Sequence, residues 1–462
     1  MRPTLPDQAR PRVVLYNPRA VFYTMPLALV ALASALDRSQ VDVVIIDGRL
    51  EADPVRAVAE AAKGALCVGV TVLTGAPIHD ALAVSRAVKA VEPACPVVWG
   101  GWHPSLFAGE CLAEPSVDLV VTGQGEDAFR DVIACLIDGE RVRGQMSRPM
   151  QDLNTFPAHD YSLIPVDRYF ALKGARQIDY ISSQGCRFRC AFCADPAVFA
   201  RGWTGLAPER IGDEVEHLHR RHRMADLAFQ DETFFTHAPR VDALAEQFLR
   251  RNLPITWTAT LRADQACRLG DDLFAKTVRS GLRRVMVGVE SGSQEMLDRL
   301  QKDMKLDQVR QTAEMCTRHG VGAIFNFIVG FPGEPESSMQ ATLALAKTLR
   351  RSNPAFETPI FYYRPYPGNP MAEESGAQGY VFPRGLEEWA DFDYVGGRGP
   401  WITAEQWRTV ERFKFYTRHA WKPGAWRWPL RATSQWRCRH DWYAMPVEKM
   451  IVDLIRPPQQ VS

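Results

Sequence analysis

The chain has 462 residues, 46% hydrophobic and 24% charged, with a formal net charge of +1. This is the make-up of a globular protein of roughly two to four domains, long enough to bury several cores without disulfide staples, and the near-zero charge argues against a broad nucleic-acid footprint. The most apolar runs, 12–18, 41–48 and 65–75, fall short of the ~20 residues a spanning helix needs, and the first twelve residues lack a signal-peptide core, so a cytoplasmic protein with no membrane span is expected.

Residues 12–138 alternate short apolar runs with helical spacing. Strands are predicted at 12–18, 41–48, 66–75, 96–101 and 118–123, with helices near 26–38, 54–63, 78–92 and 126–138. Fully apolar strands between helices predict a doubly wound parallel sheet covered on both faces. Such sheets bind ligands beyond the carboxyl ends of their strands. Residues 139–174 are rich in Pro, Arg and Asp, without sustained period, and read as a linker. A second βα series follows, with strands predicted at 177–183, 227–232, 255–263, 283–291, 323–330 and 359–365. Six units predict a partial (βα)6 barrel, its site at the strands' carboxyl ends. The remainder is expected to be mostly helical and rich in Trp and Arg.

Seven of the ten cysteines are scattered and read as small buried hydrophobes. The other three, Cys186, Cys190 and Cys193, sit in "GCRFRCAFCAD" directly after the first strand of the second series. Clustered thiolates without an export signal point to metal binding or redox chemistry. A closed structural zinc would need a fourth ligand, and neither His159 nor His217 stands at paired-ligand spacing. Three cysteines holding a [4Fe–4S] cluster would leave one iron open.

C-x3-C-x2-C with an aromatic, Phe192, before the last cysteine resembles the signature of the radical S-adenosylmethionine (SAM) family. The resemblance implies that SAM chelates the open iron. It also implies a role for residues at successive strand ends: Asp231 and Glu232 toward the SAM ammonium, Arg262 toward its carboxylate, and Glu290 and Ser291 toward the ribose or amino-acid part. "FIVGFPGE" (327–334) is similar to the family's adenine-side loop, and Phe192 to the residue shaping the adenine pocket.

The first segment lacks G-x-G-x-x-G, which disfavours a dinucleotide. Its place before such a barrel resembles the cobalamin-dependent radical SAM proteins, including the anaerobic magnesium-protoporphyrin monomethyl ester cyclase and the class B methyltransferases. Thr71-Val72-Leu73, followed by Thr74 and Gly75, stands where S-x-L is usual. Gly100 and Gly101 match the G-G element, and Gly123, Gly125 and Glu126 lie in the loop similar to V-x-G-E-G-E. The D-x-H-x-x-G element is absent, which implies cobalamin bound without histidine on cobalt. His103 is therefore expected to be a polar loop contact.

The resemblance divides the chain into a cobalamin-binding domain (1–138), the linker (139–174), a radical SAM domain (175–371) and a capping or substrate region (372–462). It implies a methyltransferase acting on an unactivated carbon of a small molecule through a 5′-deoxyadenosyl radical and methylcobalamin, supplied with electrons by a flavodoxin or ferredoxin. The alternatives are a cyclase or oxidoreductase without methyl transfer, a methylthiotransferase, and a non-catalytic cobalamin module. Tyr362, Tyr363 and Arg364 are expected near substrate. Trp426, Trp428, Trp436, Trp442 and Tyr443 are read as either packed core or a flat apolar pocket.

Overall fold

Strand β1 (Arg12–Asn17) is buried from Val13 to Tyr16, so neither face is left for solvent and both must be covered by helices. The structure, a computed structural model, describes residues 10–20, 23–393, 397–421 and 428–455, without the side chains of Trp428 and Ile455. β2 (Asp42–Asp47), β3 (Ala65–Thr71), β4 (Val97–Gly100), β5 (Leu119–Thr122) and β6 (Gly144–Ser147) complete a parallel sheet of order β2-β1-β3-β4-β5-β6. The chain passes from β1 out to β2 on one side and then crosses back to β3 on the other side of β1. The switch point is therefore the gap between Asn17 and Thr71. β6 corrects the expected linker: residues 144–147 extend this sheet, and Val166–Lys173 form a helix.

A second parallel sheet contains β7 (Gln177–Tyr180), β10 (Asp226–Phe229), β11 (Thr256–Leu261), β12 (Leu282–Glu290), β13 (Gly322–Val329) and β14 (Phe356–Glu357), with β15 (Ile360–Tyr362) also on β13. Between β7 and β10 lies a two-stranded antiparallel ribbon, β8 (Ser183–Gly185) and β9 (Trp203–Gly205). The cysteine loop is the insertion inside this ribbon. β7 and β14 do not pair, so the barrel is open along β7. Asp179 ties that edge to the connecting segments. It accepts from Met25 N at 2.7 Å and pairs with Lys173 at 2.5 Å, while its carbonyl accepts from the Tyr161 hydroxyl at 2.6 Å.

The C-terminal region straps both sheets. Leu386, Trp389 and Phe392 pack into the core of the first sheet, and Ile402, Val410 and Phe413 into that of the second. Tyr362 and Tyr363 are consequently buried, the former donating to Glu411 at 2.9 Å, and Arg364 stacks on Phe392. Tyr362 and Tyr363 are thus covered rather than open to substrate, because the chain folds back over the sixth strand's end, while Arg364 stays part-exposed.

Candidate functional site

One cavity of about 360 Å³ joins the two sheets. On the first sheet it is bounded by Asn17, Thr71, Leu73, Gly100 and Gly101, at the switch point and the adjoining strand ends. Gly123, Gly125 and Glu126 also line it. It then runs past Val198 and Phe199, just after the cysteine loop, to Ile181, Gln230 and Glu232 of the second sheet.

Glycine makes room on the sheet side. At Gly101 φ is +100°, and a Cβ would stand 2.9 Å from Thr71 Oγ1 and 3.1 Å from Val72 N, so a side chain would be both strained and clashing. Gly100 is different. A Cβ there would meet nothing closer than Val121 O at 3.5 Å, so its missing side chain leaves cavity space.

Three of the residues expected here face elsewhere. The short helix Trp102–Leu106 presents Trp102 and Ser105 to the cavity, one turn apart. His103 is on the other face, fully buried against Phe107 at 4.8 Å and Trp389 at 6.0 Å. Its Nδ1 shares a 3.2 Å hydrogen bond with Thr74 Oγ1, which turns Thr74 inward too. Burial lowers the imidazole pKa to about 4. Gly75 also lies off the cavity wall. Residues not foreseen include Asn17, Trp102 and Ser105, along with His159 from the connecting segment. A tryptophan beside two glycines was the only sequence signal among them.

At the barrel mouth the cysteine loop is pinned from two sides. Ala191 N donates to Leu300 O at 2.9 Å and accepts, through its carbonyl, from Met371 N at 3.1 Å. Burial raises the Cys186 and Cys193 thiols, with the neighbouring Asp195 carboxylate adding to both, and the three sulfurs interact electrostatically with one another. Among the described residues no three His, Cys, Asp or Glu side chains close on a single metal ion. Three cysteine thiols on one loop form the donor set that holds three corners of an iron–sulfur cluster.

Arg262, after β11, stands beside the loop. Its Nη1 is 3.7 Å from Cys190 Sγ, its guanidinium covers Phe188 at 3.7 Å, Nε bonds Asp264 at 2.9 Å, and Nη2 bonds the Lys302 carbonyl. Lys302 pairs with Glu290 at 2.7 Å, both buried. Glu290 itself sits at φ +68°, a strained setting for a residue with a side chain, at the irregularity that ends β12. Nothing in the spacing of "QKDMKL" marks Lys302. Phe192 lies under Lys302 and edge-on to Phe331 at 6.0 Å.

Two expected ligand contacts have structural partners instead. Asp231 accepts from Ser182 N at 2.7 Å and from the Ser182 and Ser183 hydroxyls at 2.6 Å each, so its carboxylate anchors the strand leading into the cysteine ribbon. Ser291 is buried against Thr342, 3.2 Å between hydroxyls, and accepts from Ser293 N. Glu232 does reach the cavity. It accepts from Gly185 N at 3.1 Å, and burial together with Asp195 pushes its pKa up to about 8. Buried oxygens here with no hydrogen-bond partner among the described residues include Thr233 Oγ1 and Glu334 Oε1. Such atoms are costly to leave unpaired, and both stand at strand ends where a polar ligand would satisfy them.

The B12 binding domain family matches residues 14–133 and the Radical SAM superfamily matches residues 180–346. An uncharacterized methyltransferase of Pyrococcus horikoshii is 30% identical over 392 residues, 80% of this chain and 82% of the relative. The chain belongs to the cobalamin-dependent radical SAM family. It is an enzyme, and a [4Fe–4S] cluster, SAM and cobalamin are its cofactors. Two further likenesses agree with this cobalamin-dependent radical SAM fold. The anaerobic magnesium-protoporphyrin IX monomethyl ester cyclase of Rubrivivax gelatinosus is 25% identical over 365 residues, 74% of this chain and 64% of the cyclase. The structure of the radical SAM methyltransferase TsrM from Kitasatospora setae, with cobalamin and a [4Fe–4S] cluster bound, superposes at a TM-score of 0.69 with 16% identity, covering 94% of this chain and 99% of that one. The glycine-floored cavity, the three cysteines of one loop and the orphaned oxygens fit the cofactors of this family.

Proposed function

We propose that this enzyme transfers a methyl group to an unactivated carbon of a small molecule held between its two sheets. The cavity that runs from the strand ends of the first sheet to Glu232 of the second carries this reading, because it would let a substrate lie between the cobalamin side and the barrel mouth. The methyltransferase from Pyrococcus horikoshii, similar along most of its length, supports it. When bound, the cluster and SAM would supply a carbon-centred radical, and cobalamin the methyl group.

In this reading Cys186, Cys190 and Cys193 hold the cluster. Arg262 and the Lys302–Glu290 pair set the charge around it, and Phe192 packs on the adenine side. Thr71, Leu73, Gly100, Gly101, Gly123, Gly125 and Glu126 line the cobalamin tail site. Ile181, Val198 and Phe199 keep water from the space between, which protects a radical from quenching. A flavodoxin or ferredoxin would supply electrons. The cysteines are unpaired among the described residues, which supports a reducing, cytoplasmic setting; among those residues no helix is long and apolar enough to cross a membrane.

The test is anaerobic reconstitution with iron, sulfide and cobalamin, then incubation with SAM, reductant and cell extract under mass spectrometry. A product heavier than its precursor by one methylene unit is expected. Substrate loss with 5′-deoxyadenosine but no such gain would favour the cyclase or oxidoreductase reading, for which the likeness to the Rubrivivax gelatinosus cyclase speaks.

A further inference from the structure

The last described helix is inside out. In Val447–Ile455 the residues at i, i+3, i+4 and i+7 are apolar, yet Val447 is 51% exposed, Met450 60%, Ile451 51% and Leu454 84%. A helix folded onto its own core turns such a stripe inward. Here the polar residue Glu448 faces the protein instead, bonded to Arg437 at 2.8 Å and to the Tyr416 hydroxyl at 2.9 Å.

This orientation is fixed. Arg437 is buried and donates to the carbonyls of Ala444 at 2.8 Å and Met445 at 3.0 Å, so it clamps the turn between helices Trp428–His440 and Val447–Ile455. The exposed stripe continues across that turn through Met445 and Trp442 to Trp436, whose ring meets Trp442 at 5.6 Å and His440 at 5.0 Å. A contiguous apolar patch of this kind marks an interaction surface.

Charge says what covers it. Between residues 404 and 455 there are ten Arg and Lys against five Asp and Glu, in a chain whose net charge is only +1. Arg439 lies on the same helical face as Trp436, and Arg418, Arg431 and Arg439 have no carboxylate partner among the described residues. A two-fold contact between copies would set these cations against each other. An anionic lipid surface would instead take the apolar stripe into its acyl boundary, the tryptophans at the headgroup level and the arginines on phosphate.

We infer that the helical hairpin 428–455 docks this enzyme on an anionic bilayer surface. The reconstituted full-length enzyme is co-sedimented with vesicles of phosphatidylglycerol and phosphatidylcholine, and with phosphatidylcholine alone. Binding is expected to the first, weaker at high salt, and lowered about tenfold or more in Met450→Glu/Ile451→Glu/Leu454→Glu. The pair Arg431→Glu/Arg439→Glu, which leaves every apolar contact in place, serves if the triple variant misfolds; it is expected to remove the preference for the anionic vesicles. Enzyme that stays in the supernatant with both vesicle types overturns the inference. So does unchanged binding in both variants, or a dimer in sedimentation velocity that the triple variant dissociates.

Discussion

Arg262 Nη1 lies 3.7 Å from Cys190 Sγ, with the guanidinium stacked 3.7 Å above Phe188. A fixed cation beside a thiolate stabilises its charge, and at a cluster it favours the reduced state. Arg262→Lys keeps the charge but loses the stack and the fork of bonds to Asp264 and the Lys302 carbonyl. It is expected to slow 5′-deoxyadenosine formation roughly tenfold or more, read by chromatography. Arg262→Ala is expected in addition to move the cluster midpoint to a more negative potential in an EPR-monitored titration. An unchanged potential in the alanine variant would contradict the electrostatic role.

Asp231 is expected to act through the fold. Asparagine in its place can accept only some of the three hydrogen bonds from Ser182 and Ser183, and leaving buried donors unmet costs about 1–3 kcal/mol. Asp231→Asn should therefore lower the melting temperature while leaving SAM affinity in the folded fraction near wild type. A large loss of SAM affinity at unchanged stability would restore the direct contact implied by the family resemblance.

Gly100 and His103 separate a cavity wall from its neighbour. Gly100→Leu has room to fold but fills cavity space. An overlapping side chain costs about 1–3 kcal/mol, so cobalamin retained per chain, read by absorbance, should fall strongly with little change in melting temperature. His103→Ala should leave the cobalamin spectrum as it is, because the imidazole is buried away from the cavity.

Glu334 gives a pH dependence. Burial raises its pKa from 4.5 to about 7, against the backbone donors of Gly330 and Phe331. Between those values the folded state holds more protons than the unfolded one, so this group makes stability fall as pH rises from about 4.5 through about 7. Glu334→Gln keeps an acceptor for both backbone donors and removes the titration. Without SAM, the variant should melt higher than wild type at pH 8 and show a flatter dependence across that window. Parallel curves would disprove it.

The three cysteines were legible because iron ligation needs particular atoms at short, regular sequence spacing. The parallel strands were legible because burial on both faces forces unbroken apolar runs, as in Val13–Tyr16. Of the paired glycines at the cavity floor, Gly101 is required by a positive φ and close backbone approach, whereas Gly100 leaves open space. Strand β6 escaped, since Gly144–Ser147 is an edge strand with no apolar run, held by hydrogen bonds that any residue can make.

Side-chain direction was decided only by the tertiary structure. Asp231 and Glu232 are adjacent in the chain, yet one anchors Ser182 and Ser183 while the other reaches the cavity. His103 follows Trp102 and turns the opposite way, because a helix places consecutive residues about 100° apart. Lys302 meets Glu290 across twelve residues with no motif to announce it. The sequence by itself determined which chemical groups the protein carries and the two βα frameworks that hold them. Which of those groups face the cavity, and that the last described helix turns its apolar stripe outward, depended on long-range contacts such as Arg437 with Glu448, which local pattern does not encode.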